Sequence, residues 1–297
     1  MPVGISISST SNLATGQKIA VANAIKAFEP AAPDIHLVEN ISIPQGHKQW
    51  DVLVWARFAS ADALTEGVDL SVSQQLVTNT VTITPSEYGI IATISKRLRR
   101  RQGDADVVSS IGEMLGSSLA RRFSIRIITL YDGFSASAPG ANQPLDISYF
   151  SSGVAALRTD NSSSYGPAPF PVHAALHPEQ IRDLVDRIAD TRPGGLPTSM
   201  TEELLRNYWR GRDNVYGVQI WESGNITRDS SGDSKGGIFA SKALRIVMAG
   251  NAEPTKEPDE SARLQEFGIF QEEGDGEIAD VWGLEVYSDT TAAWTFT

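Results

Sequence analysis

The sequence predicts an α+β fold, on three observations. Between residues 50 and 95, β-branched residues alternate with polar ones, the pattern of half-buried strands. From Val107 to Tyr131, apolar residues recur at spacings of three and four over a length few globular helices reach. Beyond residue 214 the chain turns strand-like again, in "NVYGVQIWE", "GGIFASKALRIVMA", "LQEFGIF" and "DVWGLEVYS". An early hairpin, one very long helix and a mixed region thus follow one another, with no internal repeat.

Residues 1–12 are small and polar and are expected to be extended or disordered on their own. Ile19, Ala22, Ile25 and Phe28 predict a short amphipathic helix over Ala14–Phe28, stopped by Pro30 and Pro33. "DVLVWARF" is a strand and "ASADALTEGVDLSVSQQ" a loop; "LVTNTVTITPSEYGIIATIS" gives two more strands, broken near Pro85 and Ser86. After Gly103 the period changes to that of a helix, with Val107, Val108, Ile111, Met114, Leu115, Leu119, Phe123, Ile127, Leu130 and Tyr131 as its apolar positions. Asp104 or Asp106 can cap its start, and Asp132-Gly133 can end it. About 27 residues at ~1.5 Å each make a rod of roughly 40 Å, a spine. Gly112 and Gly116 would each cost ~1 kcal/mol in an exposed helix, so they are expected to mark a close approach of another backbone. Further helices are expected over "ISYFSSGVAALRTD", over "HPEQIRDLVDRIAD" with Pro178 in its first turn, and over "SMTEELLRNYWR" behind a Ser199–Glu202 capping box.

The chain has 297 residues, a formal charge of −11 and no cysteine. Its acidity argues against general nucleic-acid affinity, which needs many released counterions. Disulfides, a thiolate nucleophile and Cys-ligated metal are excluded. No signal-peptide pattern and no apolar run of ~20 residues is visible, so a soluble protein without a membrane role is expected.

No motif builds a catalytic constellation. His173 and His177 stand four apart, but Pro178 holds His177 extended, so a strand leading into a helix accounts for them better than a metal site. "SGDSKGG" echoes the serine segment of trypsin-like proteases, yet Lys235 stands where an oxyanion-hole glycine belongs; a surface turn is the simpler expectation. "EEGDGE" (272–277) bunches carboxylates at no EF-hand spacing and is expected to be a solvated hairpin turn. Neither common phosphate-loop pattern occurs, and no cofactor is expected.

The basic run Lys96, Arg97, Arg99, Arg100 and Arg101 remains. It lacks interleaved aromatics for base stacking, and arginine, which suits bidentate carboxylate pairing, outnumbers lysine in it. Pairing across an interface is favoured over DNA contact.

The stretch from "NTVTITPSEYGIIATISKRLRRRQGDADVV" into the spine resembles the major capsid proteins of tailed bacteriophages, in which a "V-T-(hydrophobic)-P-x-x-Y-G" strand leads to a basic-then-acidic helix start. "VHAALHPEQIRDLVD", "YGVQIWESGNI" before "GGIFASKALRIVMAG", and "DVWGLEVYSDT" are similar to later pieces of that family, in the same order. The resemblance covers most of residues 45–290 and implies an HK97-like capsid fold. Its parts would be an N-terminal arm (1–48), an extended β-hairpin E-loop (49–95), a peripheral domain with the spine helix (96–144 and 251–297) and a mixed axial domain (145–250). It further implies hexamers and pentamers of this chain in an icosahedral virion shell around double-stranded DNA. Assembly would take place in the host bacterial cytoplasm, with portal, scaffold and cement proteins as partners. Lys96, Arg97, Arg99, Arg100 and Arg101 would then lie where neighbouring subunits cross, with Glu66 and Asp69 of the E-loop as counter-charges and Gly112 and Gly116 at a close contact. The family's name-giving member joins an E-loop lysine to a neighbour's asparagine; Asp51–Ser95 contains no lysine, so such cross-links are not expected here. Two other readings stay open: an encapsulin-type compartment, which shares the fold and encloses a cargo enzyme, and a serine hydrolase.

Overall fold

Strands fall where alternation or apolar runs put them, and most pair with segments far away in sequence. The computed structural model describes residues 33–44, 47–61, 63–64, 66–67, 73–102, 104–160, 165–190 and 214–291. The helices expected over Ala14–Phe28 and Ser199–Arg210, most of the N-terminal arm, and Asp69 lie outside these residues. A 3₁₀ turn at Pro33–His36 leads into β1 (Glu39–Ser42), β2 (Trp50–Trp55), β3 (Thr78–Ile83) and β4 (Ser86–Ser95). The break between β3 and β4 falls at Thr84-Pro85, as expected from the proline. Helix α1 (Lys96–Gln102) carries the basic run, and the spine is α2 (Asp104–Tyr131), 28 residues and about 42 Å long. Then come β5 (Ser137–Pro139), α3 (Ile147–Arg158), β6 (Val172–Leu176), α4 (Pro178–Asp190), β7 (Asn214–Val215) and β8 (Val218–Glu222). β9 (Asp233–Ala240), β10 (Leu244–Asp259), β11 (Leu264–Glu277) and β12 (Gly283–Asp289) complete the order.

One sheet runs β1-β10-β11-β4, another β5-β12-β9-β6-β8-β7, and β2 and β3 form a two-stranded hairpin. In the six-stranded sheet every residue of β6 is buried. Ala174, Ile238 and Ala240 belong to a core with Phe150 and Val154 of α3 and Ile181 and Leu184 of α4; Ala175 and Phe239 belong to the core of the spine. A strand covered on both faces needs a continuous apolar run, which "VHAAL" and "GGIFA" supply. Gly237 is required here: a Cβ would stand 2.9 Å from the Tyr131 ring, which stacks on Phe239 at 5.1 Å between centroids.

Eight of the ten apolar positions expected in the spine are buried, from Val107 to Tyr131. Each contributes roughly 1.5–3 kcal/mol, far more in sum than the cost of two helical glycines. Leu130 is only partly buried, and Met114 is 69% exposed, a correction to its expected core place: it lies on the outer face with Ile125, three turns on. "EEGDGE" is also corrected. It forms the end of β11, paired with β10 and in part with β4. Strands cross the expected domain boundaries: β5 and β12 lie in one sheet with β9 and β6, and β10 runs from the 145–250 segment into the 251–297 segment.

Candidate assembly surface

The β2–β3 hairpin presents apolar side chains on both faces. Val52 and Val54 point inward, into a small core with Ile43, Ile83, Val247 and Ile278. Leu53 and Trp55, between them, are more than half exposed, as are Phe58, Leu64, Leu76 and Val77 in and beside the loop. Strands facing water on one side should carry polar residues there. A row of large exposed apolar groups marks a surface that something covers. At the base of the hairpin, Arg57 donates to Asp160 at 2.6 Å and Asn79 donates to the Tyr165 hydroxyl at 3.1 Å, tying the loop to the segment after α3.

Of the expected interface residues, Lys96 finds a partner in its own chain: its ammonium donates to Glu260 at 2.5 Å, in the turn between β10 and β11. Arg97, Arg100 and Arg101 line an open cleft of about 500 Å³ together with Ser95, Ala262 and Arg263. Among the described residues none of these arginines makes an ion pair. Arg99 belongs to α1, but its side chain is outside the description. Glu66 is exposed in the hairpin loop, with no ion pair among the described residues. Gly112 and Gly116 are buried inside this chain, on the spine face that also holds Val108, Ile111 and Leu115.

The sequence reading missed an ionic ladder between the spine and β11. Arg122 and Arg126, one helical turn apart, face Glu273 and Asp275, two apart on one side of a strand. Arg126 donates twice to Asp275, with its Nε at 2.7 Å. Arg122 lies 3.6 Å over the Tyr88 ring, and its Nε stands 3.7 Å from Glu273 without a hydrogen bond. Glu273 is 4% exposed and both its carboxylate oxygens lack donors. The "P-x-x-Y-G" pattern acquires a physical basis here. Tyr88 carries Arg122, and a Cβ on Gly89 would run into the Phe270 ring.

Burial pushes the Glu273 carboxyl up to about 7; Arg122 and Arg126 oppose the shift and Asp275 adds to it. The unfolded chain releases this proton near the ordinary 4.5, the folded chain only near 7. Between those values the native state holds more protons, so this group's contribution to stability falls as pH rises. Glu273→Gln should be more stable than the parent at pH 8 by up to about 3 kcal/mol and similar to it at pH 4. Urea unfolding at the two pH values measures the difference, and equal midpoint shifts at both would contradict it.

"SGDSKGG", expected to be a surface turn, is corrected: only Ser231 and Gly232 turn, and Asp233–Gly237 are the start of β9. Ser234 is 1% exposed within β9, sharing a hydrogen bond with the Thr290 hydroxyl at 2.8 Å. Lys235 pairs with Asp132 and, at 3.1 Å, with Glu285. His177 accepts from the Glu179 backbone N–H at 3.1 Å at the start of α4, while His173 sits in β6. Burial and Arg228 bring the His177 pKa down to about 4. Among the described residues no group of three or more His, Asp or Glu could hold a metal, and no helix is long and apolar enough to cross a membrane.

No protein-family model and no curated protein matches the sequence. Solved structures do. The capsid of Ralstonia phage GP4 is similar with a TM-score of 0.66 at 9% identity, over 88% of this chain and 89% of that one. The head structure of Helicobacter pylori bacteriophage KHP40 is similar with a TM-score of 0.65 at 11% identity, over 86% and 87%. The mature capsid of bacteriophage PhiM1 follows with 0.59 at 15% identity, over 86% of both. The chain has the fold of phage capsid proteins, an HK97-like α+β fold.

Proposed function

We propose that this chain is a major capsid protein that self-assembles into the hexamers and pentamers of an icosahedral shell enclosing double-stranded DNA. The observation that carries this reading is the β2–β3 hairpin, whose outer apolar face has no cover among the described residues. In this reading a second copy of the same chain covers that face. Function then resides in contacts between copies. The shell would belong to a virion built in the bacterial cytoplasm, with portal, scaffold and cement proteins acting on the same subunit. Sedimentation of the purified chain over a range of concentrations, salts and pH values tests this. Capsomers or larger particles are expected, and a monomer under every condition would overturn the reading.

Asp51–Ser95 holds no lysine and the chain no cysteine, so the strength of the shell comes from non-covalent contacts. Assembled particles boiled in detergent should run as one monomer band. A persistent ladder of multimers would instead identify Lys48 or Lys96, which flank the hairpin segment, as a cross-linking group.

A further inference from the structure

We propose that Asp34 is a proton-operated latch for the root of the N-terminal segment. Its buried carboxyl fastens the Pro33–His36 turn between the spine and the loop after β8, and ionisation loosens it. The proposal stands without the assembly reading.

The turn lies where three parts of the chain meet. Ile35, Leu37 and Val38 enter the core of the spine, and Glu39 begins β1 beside β10. Residues 1–32 precede this turn, so whatever holds it holds their point of attachment. Asp34 itself is 0% exposed. Its Oδ2 accepts from the Ser124 hydroxyl on the spine and, at 2.9 Å, from the Ser223 hydroxyl just beyond β8. Asn225 in turn donates to the Ser124 hydroxyl at 3.0 Å.

Two neutral hydroxyls do little for a buried charge, which ordinarily needs a cation or several N–H donors. Oδ1 has no donor, and among the described residues no cation pairs with Asp34. The groups around it supply no countercharge. From the loop come Ser223 and Asn225, which do not titrate in this range. From the spine comes Tyr131, whose buried hydroxyl has no partner; burial and the Asp34 charge push its pKa up, so it stays neutral. His36, in the turn, is exposed.

A proton removes the conflict. Burial raises the Asp34 pKa, and the Ser124 and Ser223 hydroxyls offset part of the rise. In a turn released into water the carboxyl returns to its ordinary 3.8. The docked turn therefore holds the proton more tightly than the released one. Docking is strongest below 3.8, weakens as pH rises, and levels off above the docked value. Asparagine would accept the same two hydroxyls without a charge, so the carboxyl is what makes this junction respond to pH.

Hydrogen exchange on the full chain, corrected for the intrinsic rate at each pH, tests this. Protection of the backbone N–H groups of residues 34–43 should fall roughly tenfold or more from pH 4 to pH 8, since one proton changes it by up to about tenfold per pH unit. Asp34→Asn should keep high protection at both values, while Glu273→Gln should leave the fall in place. Ser124→Ala combined with Ser223→Ala removes the donors to the ionised form and should carry the fall to higher pH. Protection independent of pH in the parent chain overturns the latch before any variant is made. So does a fall that persists in Asp34→Asn. Loss of protection in Asp34→Asn at every pH overturns it too, and leaves the carboxylate a purely structural role.

Discussion

Leu53→Asp combined with Trp55→Asp should leave the subunit folded and abolish its assembly. Both side chains are more than half exposed on the outer face of β2, while Val52 and Val54, which anchor the strand, point the other way. Exposed substitutions of this sort usually move stability by no more than ~0.5 kcal/mol. In an assembled shell the same two positions would each bury a carboxylate where an apolar group was covered, at a cost of several kcal/mol per contact. That cost recurs in every subunit, so the effect on a closed shell is all-or-none. A near-native thermal melt together with a purely monomeric sedimentation profile is the expected pair of results. Particles of normal size from this variant would remove the hairpin from the interface.

The second large effect concerns the inside of the subunit. Gly112→Leu with Gly116→Leu should lower folding stability by about 2 kcal/mol, a sizeable share of the ~5–15 kcal/mol typical of a domain. Two forces compete at these positions. Leaving glycine improves helix propensity by ~1 kcal/mol per site. Forcing a branched side chain into a packed face costs ~1–3 kcal/mol and sometimes more for each. Both glycines are buried beside Ile111 and Leu115, so the steric term should win. Denaturant unfolding measures the change. Unaltered stability would mean that the face has room, and that these glycines do nothing that alanine could not.

Sequence legibility followed the range of the interactions. The break at Pro85, the two strands on either side of it and the spine from Asp104 to Tyr131 were readable because their causes are local: a missing N–H, alternation, and a three-and-four period. The start of α4 at Pro178 was readable for the same reason. Met114 was misplaced because the spine has apolar residues on two sides, and periodicity alone does not say which side packs against the rest of the chain. "EEGDGE" looked like a solvated turn because glycines and carboxylates make turns locally. Its acids are instead held by Arg122 and Arg126, about 150 residues earlier. Lys96 and Glu260 are separated by 164 positions, and nothing local marks them as a pair. The outer face of β2 could have been read directly: "WDVLVW" has apolar groups at both odd and even positions, which a one-sided strand does not need. The arginine cleft was half visible, as a run of cations, while Arg263 joins it only through the fold.

Electron microscopy of the purified, negatively stained chain tests the central claim most directly, that this fold and its uncovered hairpin exist to close a shell. The expected image is a field of hollow isometric particles of uniform size, with free capsomers among them. Micrographs holding only dispersed monomers, at every concentration, salt and pH at which the chain stays folded, would contradict it.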